Sequence, residues 1–200
     1  MRMTPSLRGS LVPLVLLVLL VLLVPSLDAQ ILPCALKSAD LWFDAKASLG
    51  PFRGITHEAR GETAGAQALS SVRGFVELQA KSITTNNGLR DRDMRSTLEV
   101  DKYPTIRFDL DSMAVGTETP DSARVELAGR ISIHGVTHAI RVPAMLRRQR
   151  NEVRVTGSFE LFLPNYGVTK LKRMLGMLSM EPTIQVGLEV TFNSAREGAE

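Results

Sequence analysis

From Ala39 onward, apolar and polar residues alternate with a period of two, the spacing that turns one face of a strand inward and the other to water. Ile106, Phe108 and Leu110 face one way, and Arg107, Asp109 and Asp111 the other. The same pattern runs through Leu41–Phe43–Ala45, Val76–Leu78–Ala80 and Val125–Leu127–Gly129–Ile131–Ile133. It returns in Ile140–Val142–Ala144–Leu146, in Val153 to Leu163 and in Ile184 to Phe192. Gly50-Pro51 is expected to break the first run, and Arg53 to Thr63 reads as a weak edge strand or a strongly bent one. Connections are expected at Gly65 to Ser71, Val115 to Ser122, Gly135 and Gln149 to Asn151. The result is about eight strands at short spacing, an all-β sandwich or barrel.

Thr84 to Lys102 carries Arg90, Asp91, Arg92, Asp93 and Arg95 without an apolar stripe and reads as a charged loop. The short helical segment is expected in Thr169 to Met180, kept to a turn or two by Gly176 and the flanking Pro164 and Pro182. Apolar inner faces with one Trp and few other aromatics leave little to plug a barrel of this length. A barrel of eight strands is either filled by side chains or holds one small ligand, and this composition favours a cavity.

The first 29 residues have the layout of a secretory leader: Arg2 and Arg8, an apolar run from Leu11 to Val24, then Pro25-Ser26 and Ala29. The alternatives are a retained membrane anchor, for which the run is short, and a lipid-attachment signal at Cys34, for which Pro33 is a poor preceding residue. Cleavage leaves 22 basic and 20 acidic side chains, a net charge of +2. Near-neutrality without a clustered basic face argues against nucleic acid as a partner. The mature domain is expected over residues 30–194, followed by a polar tail at 195–200, in a secreted protein. A single cysteine, Cys34, makes no internal disulfide, and none is required at this length.

Two segments carry a resemblance. SITTNNGLRDRDMRSTLEVDKYPTIRF (Ser82 to Phe108) and GRISIHGVTHAIRVP (Gly129 to Pro143) stand in the order seen in the YceI-like family, and FELFLPNYGV (Phe159 to Val168) extends the match. Arg90-Asp91, Met94-Arg95 and Tyr103-Pro104 stand at the family's motif positions. The resemblance implies an extended, lipocalin-like antiparallel barrel around a long apolar channel. It also implies a bacterial periplasmic or secreted protein with a polyisoprenoid, an isoprenoid quinone or a fatty-acid-like chain as ligand, with no cofactor and no catalysis. The chain departs from the family in a more polar Leu49 to Gly61 and a Met-rich Arg173 to Met180.

Such a channel needs apolar walls and a place for a polar head. The inward candidates are Phe43, Val76, Leu78, Ile106, Phe108, Leu110, Leu127, Ile131, Ile133, Ile140, Val142, Phe159, Leu161, Val186, Leu188 and Val190. Arg90, Asp91 and Arg95 are candidates either for a head-group contact or for a brace that ties their loop by self-pairing. Met174, Met177, Leu178 and Met180 suit a soft lid or a packed end. His57, His134 and His138 make no metal-ligand spacing, and no Gly-x-Ser-x-Gly turn points to a hydrolase. The alternative to a carrier is an envelope stress or interaction protein whose barrel is a filled scaffold.

Overall fold

A computed structural model of the chain describes residues 34–65, 68–169, 172–173 and 178–193. The leader, the polar tail, and Met174 and Met177 of the Met-rich segment lie outside the described residues.

Eight long antiparallel strands close into a barrel. In chain order the strands are β1 (Cys34–Ala47), β2 (Gly50–Thr56), β3 (Ala59–Ala64), β4 (Arg73–Gln79), β5 (Thr105–Glu118) and β6 (Ser122–Ile133). They continue with β7 (Val136–Gln149), β8 (Glu152–Phe162), the two-residue strands β9 (Lys172–Arg173) and β10 (Leu178–Ser179), and β11 (Thr183–Asn193). The hydrogen-bonded order is β11-β8-β7-β6-β5-β4-β3-β1, and the pairing of β1 with β11 closes the ring. β2 is the additional strand, bonded to the second half of β1 from Leu41 to Ala47.

β2 and β3 are one bent strand. Thr56 lies opposite Leu41 and Glu62 opposite Ala35, an equal step along both partners, so the register to β1 survives the break at His57-Glu58. Gly50-Pro51 therefore opens this strand rather than ending the first. Proline is tolerated there because β2 lies at the edge of the sheet, where one row of amides has no ladder to serve.

Two irregularities shift which residues face inward. The register of β5 slips between Leu110 and Ser112 opposite β6, and that of β1 slips between Leu36 and Ser38 opposite β11. One extra residue in a strand moves every later side chain to the other face. Beyond the slip Met113 is buried, although the alternation of Ile106, Phe108 and Leu110 would place it outside.

The expected charged loop contains the one α-helix among the described residues, α1 (Gly88–Thr97). Asn87 caps it, its side chain accepting from the Arg90 amide at 3.1 Å. Asp91 in the first turn and Arg95 in the last suit the helix dipole. Its sole buried residue is Asp91, so no hydrophobic period announced it. Within Thr169 to Met180, where the helical segment was expected, the described residues instead pair β9 with β10, while 170–171 and 174–177 lie outside them.

Candidate functional site

The barrel interior divides into two halves. At the end carrying the β1–β2 turn, α1, the His134-Gly135 turn and the Leu163–Tyr166 3-10 turn, the interior is solid. Ala45, Ile131, Ile133, Leu161, Leu163, Tyr166, Val168 and Ile184 are buried in one cluster, with Phe43, Phe52 and Met180 against it. At the opposite end the walls enclose a cavity of about 1380 Å³. That end carries the start of β1, the β3–β4 connection, the β5–β6 and β7–β8 turns, and the end of β11.

Phe108, Ile140 and Phe159 pack against both clusters and form the floor between the halves. Gly129 makes the floor possible. A Cβ there would lie 2.2 Å from the Asp109 carbonyl oxygen and 2.7 Å from the Phe108 ring, so only glycine lets Phe108 lie across β6.

Most of the expected wall residues line this cavity: Val76, Leu78, Ile106, Phe108, Leu110, Leu127, Ile131, Ile140, Val142, Phe159, Val186, Leu188 and Val190. Phe43, Ile133 and Leu161 do not. They point inward but into the solid half, because alternation reports the face of a strand and not the depth along it. Leu41, Met113, Val115, Leu146, Val153, Val155 and Phe192 also line the cavity. Met113 escaped sequence reasoning because the β5 slip reverses its facing; Val115 escaped because a connection was expected from Val115 to Ser122, whereas β5 runs on to Glu118. The others obey plain alternation and could have been read from it. Cys34 also lines the cavity and is half-buried.

Arg90, Asp91 and Arg95 do not line the cavity; α1 sits at the solid end. Asp91 accepts hydrogen bonds from the Thr84 hydroxyl at 2.8 Å, the Thr85 hydroxyl at 2.6 Å and the Thr85 amide at 2.7 Å. Burial works against its charge, but these bonds outweigh it, with help from Arg95, and hold the carboxyl below its ordinary range. Arg90 lies over the Phe52 ring at 4.5 Å. The cluster thus braces the closed end, but through threonines and a ring rather than through an Arg–Asp ladder.

The histidines fasten the same end. His134 Nδ1 lies 3.1 Å from the Tyr166 carbonyl oxygen, and its ring meets Tyr103 edge-on at 4.5 Å. His138 Nε2 lies 3.0 Å from the Asn165 carbonyl oxygen, with the Tyr166 ring 5.1 Å away. Both rings hold the 3-10 turn that covers the barrel. Burial raises the Tyr166 hydroxyl above its usual range. His134 and Gly135 both adopt positive φ, 51° and 76°, the backbone of a tight turn between twisted strands.

The mouth of the cavity is polar. Glu118, Thr119, Pro120 and Asp121 from the β5–β6 turn face Arg148, Arg150 and Glu152 from the β7–β8 turn, beside Asn193. Arg148 donates to Glu118 at 2.8 Å and to the carbonyls of Thr119 and Pro120 at 3.3 Å each. Sequence reasoning had Glu118 to Asp121 and Arg150 only as turn residues and gave Arg148, Glu152 and Asn193 no role, since nothing in a turn's composition says which barrel end it rims.

The same architecture occurs in solved structures. A polyisoprenoid binding domain from Saccharophagus degradans, implicated in plant cell wall breakdown, superposes with a TM-score of 0.68 at 15% identity, covering 82% of this chain and 99% of its own. BcnA of Burkholderia cenocepacia gives 0.63 at 12% identity, covering 76% and 95%. A YCEI protein of Campylobacter jejuni gives 0.57 at 14% identity, covering 72% and 85%. At these identities the likeness concerns the fold. No curated protein sequence matches the chain. The YceI-like domain pattern matches residues 37–192, the whole barrel, and the chain belongs to the YceI-like family.

Proposed function

We propose that this chain is a non-catalytic carrier, exported through its N-terminal leader to the bacterial periplasm or beyond, that holds a long-chain amphiphile in the hollow half of its barrel. The candidates are a polyisoprenoid, an isoprenoid quinone or a fatty-acid-like chain. The observation that carries the reading is a cavity of about 1380 Å³, walled by aliphatic side chains and rimmed by polar ones. Ordinary small-molecule pockets hold about 300–1,000 Å³.

Magnitudes favour a long chain. Each buried methylene contributes about 0.8 kcal/mol, association costs about 4–15 kcal/mol, and micromolar binding needs about 8 kcal/mol net. An apolar ligand without strong polar contacts therefore needs on the order of fifteen to thirty carbons. At roughly the 30 Å³ that a water occupies in the liquid, taken as the scale of a methylene, such a chain fits the cavity. The polyisoprenoid-binding relative supports the isoprenoid option. The alternative scaffold role calls for a filled barrel, and this barrel is filled in one half only.

Mass spectrometry of an organic extract of protein purified from a bacterial periplasm tests the proposal. A stoichiometric long-chain amphiphile is expected. An empty extract, together with no uptake of C15 to C30 chains by the delipidated protein, would overturn it.

A further inference from the structure

The polar groups at the mouth say which kind of head group the cavity takes. We propose that the amphiphile's head is uncharged, an alcohol or carbonyl oxygen rather than a phosphate or carboxylate; this rests on the carrier reading above.

An anionic head needs cations or amide donors that converge on it and are not already spoken for. Among the described residues, the mouth sets no such converging group into its rim: its one cation without a protein partner, Arg150, lies exposed at the tip of a turn. Arg148, the guanidinium set into the rim, gives its donors to Glu118 and to two carbonyls of the β5–β6 turn. A ligand phosphate would have to displace a carboxylate that is already in place. Glu152 is engaged by Lys37 from the outer wall, so that lysine too is committed. Arg150 is exposed on the β7–β8 turn, where water and salt screen it.

Backbone donors around the β5–β6 turn are committed as well. The Thr119 amide donates to the Ser122 carbonyl at 2.7 Å, the Ser122 amide to the Thr119 hydroxyl at 3.1 Å, and the Arg148 amide to the Asp121 carbonyl at 2.8 Å. The turn thus offers no cluster of free N–H groups. Three carboxylates and two guanidiniums line the mouth, so its field does not favour an anion. A hydroxyl or carbonyl head meets no such penalty. It can pair with the Asn193 side chain, donate as a hydroxyl to the remaining lone pair of the Thr119 hydroxyl, whose proton goes to Ser122, or hydrate at the rim.

Competition at fixed chain length tests this. Delipidated full-length protein would be titrated with geranylgeraniol and with geranylgeranyl diphosphate, and separately with hexadecanol and palmitate, against one fluorescent probe at 0.15 M salt. The neutral member of each pair is expected to bind at least tenfold tighter. Glu118→Gln, which frees Arg148, is expected to narrow that gap by strengthening the anions. Equal or tighter binding of the diphosphate and palmitate by the wild type would overturn the head-group inference while leaving the carrier reading intact. Failure of all four to bind would overturn the head-group inference, and together with an empty extract and no uptake of longer chains it would overturn the carrier reading as well.

Discussion

The two halves of this barrel share the same strands and differ in what stands at their ends. At the solid end, long connections fold back over the opening: Leu98 just after α1, the Leu163–Tyr166 turn and Met180 supply side chains that meet the strand interiors. At the hollow end, the β5–β6 and β7–β8 turns are tight and short, and nothing on them reaches inward far enough to fill the space. The difference shows that a cavity here depends less on the wall residues, aliphatic in both halves, than on how little the described connections at that end send into the interior. Polar residues do opposite work at the two ends. Asp91 and the histidines are spent on fixing a lid, whereas Arg148 and Glu118 hold a rim in shape around an opening.

This contrast sets the size of mutational effects. In the solid half, Leu161 is only 4% exposed, and Leu161→Ala is expected to cost about 2–5 kcal/mol in urea unfolding, through lost burial and a new void. Leu110→Ala, beside the existing cavity, is expected to cost about half as much or less. Equal losses would mean that the hollow half is packed.

Asp91→Asn is next, at about 1.5–3 kcal/mol, the scale of hydrogen bonds to a buried charge. The native carboxyl titrates below its unfolded value of about 3.9. Its stabilisation is therefore complete above about pH 4 and is lost as the pH falls through the native value. The gap between wild type and Asp91→Asn, followed by urea unfolding from pH 7 down to pH 2.5, is expected to stay constant and then shrink below pH 4. A gap that widens in acid would contradict the brace.

Leu110→Trp sharpens the comparison from the other side. Indole volume placed in the hollow half is expected to lower uptake of a C20 alcohol at least tenfold, about 1.4 kcal/mol, with thermal stability nearly unchanged. A bulky change in the solid half, such as Ala45→Leu at a 2% exposed position, is expected to destabilise by about 1–3 kcal/mol through overpacking. The smallest effect is expected outside both halves. Arg141 pairs with Glu126 at 2.7 Å on the outer wall, where Arg141→Ala should change stability by less than about 1 kcal/mol.

What the chain revealed follows from what alternation encodes. A period of two tells which residues face inward, so the strands and most of the cavity wall could be read before any coordinates. It is silent on position along the barrel axis, and so Phe43, Ile133 and Leu161 entered the wall set although they belong to the solid core. It fails at a register slip, which hid Met113, and the Gly and Thr of Val115 to Ser122 made the end of β5 pass for a turn, which hid Val115. It cannot register a helix whose only buried side chain is an aspartate, and α1 passed for a loop. The mouth was the least legible part, because Glu118 and Arg148 meet across two turns about thirty residues apart in sequence, a pairing that only the closure of β5 to β8 creates.

The central claim is that an apolar chain occupies one half of the barrel and stops at the floor. A crystal of the delipidated protein soaked with a long-chain alcohol bearing a terminal bromine tests it directly by anomalous scattering. The account predicts one bromine peak within the barrel, close to Phe108, Ile140 and Phe159, with the alcohol oxygen at the mouth beside Thr119. A peak among Leu161, Tyr166 and Val168, or on the outer surface alone, would contradict it.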